Sequence, residues 1–120
     1  MLLYYERDIN LLPLDTPPEL QIKIAETLKV LDEHHGSDRA TNDYGGCVIY
    51  VPKGEEYTEQ LEQFHIDVEA TVEFATSIQT SQGEEYIYAL FQISSDYGVS
   101  IIMHKDDTPN NIIQEIQTLN

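Results

Sequence analysis

From Ile66 to Ile78 the chain alternates. Ile66, Val68, Ala70, Val72, Phe74, Thr76 and Ile78 take the even positions; Asp67, Glu69, Thr71, Glu73, Ala75, Ser77 and Gln79 take the odd ones. A period of two held this long predicts a strand with one dry and one wet face, the wet face carrying carboxylates. Ser81-Gln82-Gly83-Glu84 reads as a turn, and Tyr86 to Ile93, apolar on both faces, reads as an interior strand. Ser95-Asp96-Tyr97-Gly98 is a second turn signal, and Val99 to His104 a third strand.

Upstream, Cys47-Val48-Ile49-Tyr50-Val51 is apolar on both faces and stopped by Pro52, the pattern of a central strand. Leu2 to Tyr5 predicts a short edge strand, and Asp8 to Pro18, with Pro13, Pro17 and Pro18, a connecting loop. Thr16-Pro17-Pro18-Glu19 predicts a helix start in which Thr16 and Glu19 cap each other and Pro17 is the first helical residue. The helix then carries Leu20, Ile24, Leu28 and Leu31 as one apolar stripe and ends at Gly36, with His34 and His35 in its last turn. Glu55 to Phe64 predicts a short helix with Glu55, Glu59 and Glu62 on one face and Tyr57, Leu61 and Phe64 on another. Thr108-Pro109 opens a closing helix on Ile112, Ile113, Ile116 and Leu119. These elements predict an α+β fold: an antiparallel β-meander of four to five strands, with two longer helices and one short helix packed on one face.

At 120 residues the chain fits a single domain, residues 1–120. Its hydrophobic fraction of 41% is that of a globular protein, so charge alone sets it apart. There are 22 Asp and Glu against 6 Lys and Arg, a formal net charge of −16. Nucleic acid and anionic membrane as direct partners are thereby disfavoured, since both require basic surface. A lone cysteine, Cys47, and an N-terminus that meets charge within a few residues point to a cytoplasmic protein.

Chemical motifs are sparse. His34, His35, His65, His104 and Cys47 are the usual soft metal ligands, and none of their spacings suits zinc, so no metal is expected. Cys47 has no basic neighbour to activate it, and Gly45-Gly46 lacks the rest of a phosphate loop. No catalytic residue and no cofactor is therefore expected. The acid, by contrast, is segregated. Lys and Arg are missing between Lys53 and Lys105, an interval that holds Glu55, Glu56, Glu59, Glu62, Asp67, Glu69, Glu73, Glu84, Glu85 and Asp96. On an ideal strand Asp67 and Glu69 project about 6.6–6.8 Å apart, close to the spacing of successive phosphates on a nucleic-acid strand.

The partner-binding residues expected on this basis are Glu55, Glu59, Glu62, Asp67, Glu69 and Glu73, with Tyr57 as an aromatic anchor and Tyr86, Tyr88 and Tyr97 as further anchor candidates. The expected partner is a basic protein, a nucleic-acid-binding enzyme or nuclease, whose nucleic-acid site the chain occupies. In charge and length the chain is similar to nuclease-immunity proteins and to inhibitors that imitate DNA, a likeness that transfers no residue. The alternative is a structural or regulatory domain whose acidic face is only solvated.

Overall fold

The computed structural model describes residues 1–35, 45–56, 58–59, 62, 72–94 and 97–119. Among these residues five strands form one sheet: β1 Leu2–Leu3, β2 Gly45–Tyr50, β3 Val72–Gln79, β4 Glu85–Ser94 and β5 Tyr97–His104. Their order across the sheet is β1-β2-β5-β4-β3. The segment β3-β4-β5 is the expected antiparallel meander. The sheet as a whole is mixed, because β2 lies parallel to β5 and antiparallel to β1. The expectation of a wholly antiparallel sheet is thus corrected. An apolar-on-both-faces strand needs two neighbours and two covered faces, and β2 finds them between β1 and β5.

Among the described residues, the two longer helices, α1 Pro18–His35 and α2 Asn110–Leu119, flank the sheet. Alternate strand residues feed two separate cores. Ile49, Ala75, Ile87, Phe91, Ile101 and Met103 pack with Ile112 of α2, joined by Ile113 and Ile116. Val48, Tyr50, Tyr86, Tyr88 and Ile102 pack with Leu20, Ile24 and Leu28 of α1. Neighbouring strand residues point to opposite faces, so the two helices cover opposite faces of the sheet. This corrects the expected one-sided packing. Leu20, Ile24 and Leu28 of the predicted stripe are fully buried, and Leu31 is half-buried.

The expected faces of the alternating strand are also corrected. Val72 pairs with Phe91 and packs in the α2-side core, whereas Phe74 pairs with Leu90, with Glu73 as the extra residue between them. This β-bulge sets two residues of β3 against one of β4 and reverses the phase of everything after it. Ala75, expected to be wet, is buried, while Phe74, expected to be dry, is 45% exposed. The expected strand residues 66–71 lie outside the described residues, as do the side chains of His34 and His35, Gly36 and most of the predicted helix Glu55–Phe64. Within that helix Thr58, Glu59 and Glu62 are helical.

Both helices open one residue later than their Thr-Pro signals predict. The Pro17 carbonyl accepts from Leu20 and Gln21, and the Pro109 carbonyl from Ile112 and Ile113. Each proline is therefore the cap residue and not the first helical one. Glu19 does not reach back to Thr16; its Oε1 accepts from the Ser81 amide at 2.9 Å and ties α1 to the β3–β4 turn. That amide bond also holds the Glu19 carboxyl below its ordinary pKa. Among the described residues no helix is long and apolar enough to cross a membrane.

Candidate functional site

Parallel pairing of β2 with β5 brings their C-terminal ends to the same end of the sheet, and antiparallel β4 begins there. Tyr50 is opposite Ile102, and Tyr86 is opposite His104. Three loop segments far apart in sequence meet as a result: Pro52–Glu56, Gln82–Glu85 and His104–Asp107. Asp107 Oδ2 accepts from the Gly54 amide at 2.8 Å and locks the first to the third. Glu55, Glu56, Glu84, Glu85, Asp106 and Asp107 all belong to these segments. Glu56, Asp106 and Asp107 line a shared hollow of about 370 Å³.

The two lysines at this end are both engaged. Lys53 Nζ lies 2.6 Å from Glu84 Oε1, and Lys105 Nζ lies 2.9 Å from Glu85 Oε2. These partners raise the pKa of both lysines, and Lys53 lowers that of Glu84. Behind Glu84 sits the buried His104. Its Nδ1 accepts from the Asp106 amide at 3.1 Å, which leaves Nε2 as the nitrogen facing Glu84 Oε2, 3.6 Å away. The Tyr86 ring meets the imidazole edge-on, with centroids 5.0 Å apart. Burial, then the neighbouring Tyr50 phenol and Glu84, push the Tyr86 hydroxyl up to about 12. Burial also raises Tyr50.

Of the residues expected to bind a partner, Glu55, Glu59, Glu62 and Glu73 are exposed. Tyr57, Asp67 and Glu69 lie outside the described residues, as does the Tyr97 side chain. Glu55 and Glu73 are not brought together. Gln79 pairs with Glu85 at the acidic end, and Glu73 is six residues back along β3, roughly 20 Å away on an extended strand. Tyr86 and Tyr88 are buried core residues, 4% and 8% exposed, which corrects their reading as anchors that insert into a partner. Tyr88 spends its hydroxyl on Ser100 Oγ at 2.8 Å.

Asp106 and Asp107 were missed in sequence because they follow a strand whose parallel neighbour has no local signature. Cys47 is buried in the α2-side core, and His104 stands at the other end of the sheet on the opposite face. Among the described residues no group of three or more His, Cys, Asp or Glu is arranged to hold a metal ion.

In comparisons with known proteins, the chain matches no family model, and no curated protein or solved structure is significantly similar to it.

Proposed function

We propose that this chain is a small, non-catalytic binding protein that occupies the basic nucleic-acid-binding site of a partner protein. Its carboxylates stand where phosphates would. A DNA-mimic inhibitor and a nuclease immunity protein are the two forms this takes, and neither requires direct contact with nucleic acid or membrane. The observation that supports the reading is the acidic end of the sheet. Six carboxylates from three segments gather there, and both local lysines are already paired with two of them. A surface in this state attracts basic surfaces from a distance and accelerates encounter, in a salt-sensitive way.

The test is affinity capture from lysate with the wild type and with a variant reversing Glu55, Glu56, Glu59 and Asp106 to Lys. All four are exposed, so folding is retained. Nucleic-acid-binding proteins are expected on the first bait and not on the second. Recovery of the same proteins by both baits would show that the acid is merely solvated.

A further inference from the structure

Beside the acidic end, Asp15, Pro17, Tyr50, Lys53, Glu84 and Tyr86 line a cleft of about 410 Å³. We propose that this cleft receives an arginine side chain of the basic partner, an inference that rests on the binding reading above. The cleft is rich in acceptors, and its side-chain donors are the Lys53 ammonium, the Gln82 amide and the two phenol hydroxyls. Asp15 and Glu84 supply carboxylates, and Tyr50 and Tyr86 supply phenol oxygens. Pro13, Pro17 and Pro52 on its wall have no amide N–H to compete for those acceptors. A planar guanidinium, with five donors in a fixed fork, satisfies several such acceptors at once, and a lysine ammonium with three does so less well.

The free protein already holds a stand-in for that cation. Lys53 reaches into the cleft and places its ammonium on Glu84 Oε1, while Glu84 Oε2 faces His104 Nε2 at 3.6 Å. Lys53 and Glu84 are both partly exposed, and an exposed pair of this kind is weak. An incoming guanidinium therefore displaces Lys53 and takes both carboxylate oxygens in bidentate fashion. Lys53 thus acts as an internal competitor. Removing it should strengthen arginine binding, whereas loss of a lysine usually weakens a cluster.

The experiment compares fluorescein-labelled hexa-arginine and hexa-lysine by anisotropy at fixed salt, using the full chain and three variants. The wild type should bind hexa-arginine more tightly by roughly fivefold or more, the discrimination a bidentate site confers. Lys53→Met should widen that preference. Lys105→Met, which removes the same charge from the Glu85 pair outside the cleft, should tighten both peptides equally. Asp15→Asn with Glu84→Gln should abolish the preference and leave residual binding to both peptides, with the fold checked by circular dichroism. Equal binding of the two peptides by the wild type overturns the arginine cleft and leaves the acidic-face reading standing. So does an equal effect of the two lysine substitutions. Failure of both peptides to bind overturns the cleft and the acidic-face reading together.

Discussion

Val72 and Phe74 are two residues apart on one strand, yet they face opposite sides of the sheet. Val72 packs in the core beneath α2, and Phe74 lies edge-on to Tyr88, 6.4 Å between centroids, on the α1 side. The cause is Glu73, inserted without a partner between the Val72–Phe91 and Phe74–Leu90 pairs.

The bulge makes a prediction opposite to the plain alternation. Ala75→Asp should unfold the domain, because it buries an unpaired carboxylate at a position 1% exposed and costs several kcal/mol. Phe74→Asp should stay within about 1 kcal/mol of wild type, its ring being nearly half in water. Urea denaturation of the two variants reads the difference. A stable Ala75→Asp beside an unfolded Phe74→Asp would restore the unbroken period.

The two cores should also be energetically independent. Ile24→Val and Ile112→Val each remove one methylene from a fully buried site, at about 0.5–1.5 kcal/mol apiece. The sites lie beneath different helices on opposite faces, so the double variant should lose the sum to within about 0.5 kcal/mol. A coupling energy well above that, measured in a double-mutant cycle, would mean that the helices share one core.

Gly46 is where β2 needs a residue without a side chain. Its φ is +141°, and a Cβ would run into the Gly98 carbonyl oxygen on β5. Gly46→Ala therefore combines backbone strain with a clash against rigid backbone, and should cost more than about 3 kcal/mol. Gly83→Ala carries only the strain of φ +83° in open space and should cost about 1–2 kcal/mol. Thermal melts that rank the two in the other order would place the β2–β5 contact elsewhere.

The raised Tyr86 phenol predicts an alkaline transition. Unfolded, the hydroxyl ionises near 10.0; folded, it keeps its proton to about 12. Since the folded state holds the proton more tightly, this contribution to stability is complete below pH 10 and is lost as pH rises towards 12. Ultraviolet titration should find Tyr86 among the last tyrosines to ionise, and Tyr86→Phe should flatten the loss of stability over that window. A Tyr86 that titrates with the exposed phenols would remove the burial on which this rests.

Local repetition was enough to reveal the α1 stripe of Leu20, Ile24 and Leu28, because burying one side of a helix imposes a 3.6-residue period whatever the helix packs against. It was also enough for β2, where adjacent apolar residues require cover on both faces, and for the acidic interval between Lys53 and Lys105. The tertiary structure alone decided where those pieces meet. Backbone hydrogen bonding of β2 to β5 is parallel, made between residues some fifty positions apart, and reads no side chain that would announce it. That pairing places Glu55 and Glu56 beside Asp106 and Asp107. The β4–β5 register adds Glu84 and Glu85, and one unpaired Glu73 sets which side of β3 is dry. Periodicity is a property of neighbours in sequence, and register is a property of neighbours in space, so the chain's pattern specified its elements and left their assembly to the sheet.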